Sequence, residues 1–210
     1  MGIFITFEGV DKAGKSTQIR LLAKRFQEMG KAVLCTREPG GTPLGEEVRE
    51  LVMKNRAENI ADETELLLFS ASRAQLLRER IWPALEEGQV VLCDRFADST
   101  TAYQGYARGM DLAFIRQLNQ FALGNRWPDL TILLDLTVEE SFARLDNVLK
   151  ATAADSDRFE IEGRRFHEAV RNGFLQIAKE NPRRFVTFSA TKPVEELADE
   201  IWSAVSRRFL

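Results

Sequence analysis

Gly9-Val10-Asp11-Lys12-Ala13-Gly14-Lys15-Ser16 reads G-x-x-x-x-G-K-S, and its neighbours on both sides set the fold. Before it, residues 3–7 form a short run of β-branched and aromatic residues, the pattern of a buried strand. After it, residues 16–29 carry Ile19, Leu22, Ala23 and Phe26 on one helical face, and Gly30 is a natural C-terminal stop. Strand, glycine-bearing turn and helix start, in that order, build an anion cradle. The glycines let the backbone wrap an anion without Cβ clashes and aim several N–H groups inward. The helix N-terminus adds partial positive charge. Lys15 then reaches the outer phosphates of a nucleoside triphosphate, and Ser16 offers a hydroxyl to Mg²⁺. Gly9 through Ser16, with Thr17 in the first helical turn, form the expected triphosphate site.

Four further strand-like runs follow, at residues 32–35, 90–93, 131–136 and 185–189. Most lack polar alternation, so they read as strands covered on both faces. Helical patterns lie between and after them, at 63–85, 111–123, 138–149, 160–179 and 194–208. The alternation predicts right-handed βαβ units and an α/β fold, a doubly wound five-stranded parallel sheet flanked by helices. No repeat or long linker interrupts the chain, so residues 1–210 read as one domain. The small polar stretch at 150–157 has little to pack, and a short lid insert is expected around 147–158.

Composition supports this frame. The chain has 210 residues, 44% hydrophobic and 29% charged, which excludes disordered, collagen-like and disulfide-scaffold classes. Its 29 basic and 32 acidic residues give a net charge of −3, with no bulk positive field to collect nucleic acid or anionic membrane. No apolar run approaches the ~18 residues of a membrane span, and the N-terminus lacks the basic and apolar regions of a signal peptide. A cytoplasmic address is expected, with Cys35 and Cys93 as reduced, buried small hydrophobes.

A signalling GTPase reads guanine with Asn-Lys-x-Asp after a later strand, and no such stretch occurs here. Asp94 and Arg95 instead end the third strand, where doubly wound sheets bind ligands. Asp94 reads as an acidic strand end near the metal, and Ser16 and Asp94 are the expected metal-site residues. Arg37 follows the second strand in Arg37-Glu38-Pro39-Gly40-Gly41-Thr42 and adds a second cation. Phe69 and Arg73 share a helical face at i and i+4, an aromatic plate beside a fork of donors suited to holding a base. The sole histidine, His167, lies mid-helix without a metal-ligand partner nearby in sequence and reads as structural.

The phosphate loop, Arg37-Glu38-Pro39-Gly40-Gly41-Thr42, Phe69-x-x-x-Arg73, Asp94-Arg95-Phe96, Ser99-Thr100-x-x-Tyr103-Gln104, Leu134-Asp135-Leu136 and Asp157-Arg158-Phe159-Glu160 together closely resemble thymidylate kinase. The resemblance covers most of the chain in the right order. It implies the nucleoside monophosphate kinase fold and Mg²⁺-dependent transfer of the ATP γ-phosphoryl to dTMP, by a homodimer. By position, Phe69 would stack on thymine, Arg73 would donate to its exocyclic oxygen, and Thr100 and Gln104 would line the base and sugar side. Tyr103 would crowd out a 2′-hydroxyl. Arg37 and Arg95 would hold the acceptor phosphate, and Asp11 would take the 3′-hydroxyl or help organise the metal.

Members of this family differ in where the transition-state cation resides. Here Lys12 lies inside the loop, while 147–157 holds only Lys150, and Arg158 follows. This resembles the loop-borne arrangement, with lysine where that form has arginine, so the planar two-point contact of a guanidinium is lost. Lys12, Lys15, Arg95 and Arg158 are the expected catalytic cations. Two other readings stay open at this point. One is a related kinase acting on another deoxynucleoside monophosphate. The other is a phosphate-loop switch without an acceptor, in which the extra arginines and Phe69 would be idle.

Overall fold

The computed structural model describes the chain except Met1, residues 56–58, Asn125 and residues 153–156, and gives 148–152 as backbone only. Five parallel strands form one sheet in the order β2-β3-β1-β4-β5: β1 Ile3–Glu8, β2 Val33–Arg37, β3 Val90–Asp94, β4 Leu130–Asp135 and β5 Phe185–Ser189. The doubly wound architecture expected from the sequence is present. Alternation along β1 feeds two cores. Ile5 and Phe7 pack with α1 (Lys15–Glu28) and α9 (Val194–Phe209), through Phe26, Ile201 and Val205. Phe4 points the other way, onto Leu76, Leu77, Ile81 and Phe96. Each fully buried aliphatic or aromatic side chain there contributes about 1.5–3 kcal/mol, and β1, β3 and β4 are buried along nearly their whole length.

The edge strands differ from the expectation of cover on both faces. Burial alternates along β5, and β2 exposes Cys35 and Arg37. An edge strand has one neighbour and incomplete helical cover, so its side chains stay partly wet. Cys35 is therefore exposed, not a core residue, whereas Cys93 on β3 is buried; both are free.

The helix expected over 63–85 is α3 (Asp62–Leu76), a wide π-type turn at Leu77–Ile81 and α4 (Trp82–Glu86). Pro83 has no N–H to give the i−4 carbonyl, and the widened turn accommodates that gap. A second π-type turn, Thr101–Ala107, follows the short helix α5 (Ala97–Thr100), a helical stretch that the sequence pattern did not signal. The remaining helices are α2 (Pro43–Met53), α6 (Leu112–Leu123), α7 (Val138–Thr152) and α8 (Arg164–Glu180). Of the lid expected around 147–158, residues 153–156 lie outside the described residues, and α7 runs through 147–152. Among the described residues, no helix is long and apolar enough to cross a membrane.

Candidate active site

The carboxyl ends of β1, β2 and β3 open on a cavity of 660 Å³. Lys12, Gly14, Lys15, Ser16 and Thr17 line one side of it, and Phe69, Arg73, Thr100, Tyr103 and Gln104 line another. Asp11, Arg37, Asp94 and Arg95 lie along the same wall system. Val10 and Ala13, expected with the triphosphate site, turn their side chains into the core, so only their backbone remains for a phosphate.

The phosphate loop takes its shape from two glycines. Gly9 has φ 135, and a Cβ there would stand 2.4 Å from the Leu134 carbonyl oxygen. Gly14 has φ 93 and begins α1. Lys15 curls back so that Nζ donates to the carbonyls of Gly9 (3.1 Å) and Val10 (3.0 Å). Ser16 Oγ donates to Asp94 Oδ2 at 2.6 Å, joining the loop to the end of β3. This hydroxyl–carboxylate pair is a set of hard oxygen donors, which suits Mg²⁺ held by one or two protein groups together with phosphates.

Burial pushes the Lys15 ammonium down to about 8, and the nearby Arg95 charge adds to this against Asp94, Asp11 and Glu8. A polyphosphate on the loop stabilises the protonated form. Binding of ADP without Mg²⁺ at pH 9 is therefore expected to take up about one proton, and almost none at pH 7. Titration calorimetry in buffers of different ionisation enthalpy reads this number. Equal uptake at both pH values would contradict the depressed lysine.

Arg95 occupies the left-handed region at φ 65, uncommon for a side chain of this size. Its guanidinium donates to the Gly9 carbonyl (3.0 Å), Ser99 Oγ (3.3 Å) and Asp11 Oδ1, and lies over the Tyr103 ring at 5.1 Å. Burial pushes the Asp11 carboxyl upward, but Arg95 and Lys15 outweigh it and hold it below the usual carboxylate range. Tyr103 Oη reaches Asp11 at a long 3.5 Å. Glu8, unmarked in the sequence, holds the turn: its carboxylate accepts from Phe96 N (2.8 Å) and Ser99 Oγ (2.6 Å). Burial and the Asp98 charge push Glu8 up to about 8, against Ser99, Arg95 and Phe96.

Side chains of the second wall are tied together by hydrogen bonds. Arg73 is 1% exposed. Its Nε donates to Glu38 Oε2 (2.9 Å), Nη1 to Asn119 Oδ1 (2.9 Å) and Nη2 to Thr100 Oγ1 (2.7 Å). Thr100 thus serves as an acceptor for Arg73. Phe69 stands 6.0 Å from Phe159, centroid to centroid, at the cavity rim. Arg37 is more open than the others and pairs with Glu46 at 2.9 Å.

The two alternative cations part company. Lys12, at φ 59, lines the cavity and pairs with Glu160 at 2.8 Å. Arg158 does not line the cavity. Its guanidinium bonds the Val52 carbonyl (3.1 Å) and the buried Glu65, and its N–H donates to the Met53 carbonyl (3.0 Å). The residues missed by sequence reasoning include Arg144 of α7, which donates to the Lys12 carbonyl (3.1 Å) and fixes the loop, and Arg49 of α2, which lines the cavity and donates to the Pro39 carbonyl (3.1 Å). Neither belongs to a local motif. Their partners come from distant segments or lie across a turn. His167 is buried with its ring 5.1 Å from Phe142 and 5.7 Å from Phe166, consistent with packing.

A family model described as thymidylate kinase matches residues 7–201. The thymidylate kinase of Thermomicrobium roseum is 49% identical over 206 residues, 98% of this chain and 95% of that one. The thymidylate kinase of Deinococcus radiodurans is 49% identical over 207 residues, 99% and 98% of the two chains. The crystal structure of the thymidylate kinase from Ehrlichia chaffeensis superposes with a TM-score of 0.77 at 35% identity, covering 98% of each chain.

Proposed function

Since this chain belongs to the thymidylate kinase family and phosphorylates dTMP to dTDP with the γ-phosphoryl group of ATP, we propose that the 660 Å³ cavity seats both substrates with their phosphates facing across Arg95. One observation carries this reading. Arg95 bonds Gly9 and Asp11 of the phosphate loop while lying over Tyr103, so one guanidinium touches both halves of the cavity. The rival readings, a kinase for another deoxynucleoside monophosphate and a switch without an acceptor, give way to the family.

The triphosphate of ATP lies on the loop amides from Gly9 to Ser16, with Lys15 against its outer phosphates. Thymine stacks on Phe69, with Arg73, Thr100 and Gln104 around its edge, and Tyr103 excludes a 2′-hydroxyl. Arg37 and Arg95 hold the acceptor phosphate, and Asp11 keeps Arg95 oriented. Ser16 and Asp94 would hold Mg²⁺, which when bound supplies charge neutralisation between the phosphates. The acceptor phosphate is already ionised, so no general base is required. Alignment of the two anions by Lys15 and Arg95 is the main task of the protein.

Lys12 is the better transition-state cation because it faces the cavity, whereas Arg158 is held behind α3 by Glu65. Exchanging Glu160 for a γ-phosphate oxygen requires only movement of a flexible side chain. Lys12→Gly is expected to lower kcat by about 10²-fold with KM for dTMP little changed. Steady-state kinetics of Lys12→Gly and Arg158→Gly side by side test this. Near-full kcat in the first and a collapse in the second would transfer the role to Arg158.

We read all 210 residues as one domain with a short lid insert around 147–158. Unchanged proteolysis there with a bisubstrate analogue bound would contradict the lid. Large exposed apolar side chains concentrate on adjoining helices, with Leu44 and Leu51 on α2, Leu67 on α3, and Phe114 and Phe121 on α6. Such a face suits a homodimer, and a monomer mass in sedimentation equilibrium would refute it. Two free cysteines, one exposed, fit a reducing cytoplasm, which cell fractionation checks.

A further inference from the structure

We propose that Glu65 is a positioning residue for base selection: its carboxylate fixes the Gln104 side-chain amide so that the amide oxygen, not the nitrogen, faces the base. This rests on the reading of the Phe69–Arg73–Gln104 wall as the thymine site.

Glu65 lies on α3 and is fully buried. Its Oε1 accepts from Gln104 Nε2 at 2.6 Å. Its Oε2 takes Arg108 Nη2 at 3.4 Å and Arg158 Nη2. Two guanidiniums therefore compensate one buried charge, and the carboxylate keeps its other oxygen for the glutamine. An ionised carboxylate accepts and never donates, so the amide nitrogen must point at Glu65. Flipping the amide would set two oxygens against each other with no proton between them. The orientation of Gln104 is thus dictated by chemistry.

Gln104 is 1% exposed and lines the cavity. No described residue donates to its Oε1, and that oxygen is not among the fully enclosed atoms left without a partner. It opens on the cavity. Arg73 stands on the same wall with donors only. Asn119 engages one of the two hydrogens of its Nη1 and leaves the other available. The wall then presents a donor and an acceptor. Thymine shows the complementary pair on neighbouring atoms, the O4 acceptor and the N3–H donor. Cytosine shows the reverse, an amino donor at C4 and a bare acceptor at N3. A buried wall that cannot turn its amide around leaves cytosine with unmatched groups, which is how a site rejects an analogue of equal size.

The test is kcat/KM for dTMP and for dCMP in the parent protein, Glu65→Gln and Gln104→Ala, with KM for ATP as a control on the rest of the site. In Glu65→Gln the new side-chain amide can pair with Gln104 in either orientation, so the dTMP-to-dCMP ratio should fall tenfold or more. Gln104→Ala should lower it as well. A ratio unchanged in Gln104→Ala would remove the base-site reading itself. A ratio lowered in Gln104→Ala but unchanged in Glu65→Gln would overturn the role of Glu65 and leave the base site standing. Should Glu65→Gln fail to fold, nuclear magnetic resonance on the ¹⁵N-labelled parent decides. The Gln104 side-chain NH₂ signals, assigned by their loss in Gln104→Ala, should exchange slowly with water. Free exchange would overturn the proposal.

Discussion

Replacing Arg95 by alanine is expected to lower kcat about 10³-fold, the largest effect of any single substitution in this cavity. The argument starts from its backbone. At φ 65 the residue occupies a conformation that costs a non-glycine side chain roughly 1–2 kcal/mol. The strain persists because Phe96 N and Ser99 Oγ are clamped by Glu8 and because the guanidinium is held by Gly9, Ser99 and Asp11. In the arrangement we propose, the chain gains a planar cation between two phosphate sites, where repulsion between anions would otherwise dominate the barrier. Arg95→Lys should recover little, since an ammonium cannot bridge three acceptors in one plane. Arg95→Gly relieves the backbone and should keep its melting temperature within a few degrees of the parent while losing the same activity. Steady-state kinetics with calorimetric melting on the three variants separates these effects. A kcat within tenfold of the parent in Arg95→Ala would show that the cation lies elsewhere.

The second large effect is on stability. Glu38 and Arg73 form a 2.9 Å ion pair with side-chain exposures of 3% and 1%. Removing one member of a buried pair costs about 3–5 kcal/mol, because the remaining charge stays buried without compensation. In Glu38→Ala, Asn119 and Thr100 still accept from Arg73, so the loss should lie near the lower bound, about 3 kcal/mol. For a chain of this length that is a fall of about 6–12 °C in Tm. Function should suffer in parallel, since Glu38 aligns the guanidinium that we place at the base, and KM for dTMP should rise about tenfold or more. Glu38→Gln keeps an acceptor for Nε and should be milder on both counts. A melting temperature within 2 °C of the parent in Glu38→Ala would contradict the pair's role.

The elements with local signals were legible in the sequence. The phosphate loop, the strands and most helices announce themselves through glycine placement and apolar period, because those signals lie within a dozen residues. The cations at the strand ends, Arg37 and Arg95, were legible for the same reason. Their partners were not. Glu38 reaches Arg73 across 35 positions, Glu65 reaches Gln104 across 39, and Glu8 reaches Phe96 across 88. Arg144 meets the Lys12 carbonyl across 132. Such groups carry no local pattern, and only tertiary proximity gives them meaning. The π-type turn at Thr101–Ala107 has no such signal, because its wider repeat departs from the 3.6-residue period by which helices are read. Cys35 reads as buried in the sequence, yet is exposed, because a strand's sequence does not say whether it lies at the edge of its sheet.

The most direct test of the account is ADP release with Mg²⁺-ATP against dTMP, dUMP, UMP, dCMP and dGMP. Fast turnover with dTMP, slower with dUMP and almost none with UMP is the predicted order. It follows from the proposed placement of Phe69, Arg73 and Gln104 around the base and Tyr103 beside the sugar. Equal rates across the panel would leave the phosphate loop in place and contradict the acceptor site built on those four residues.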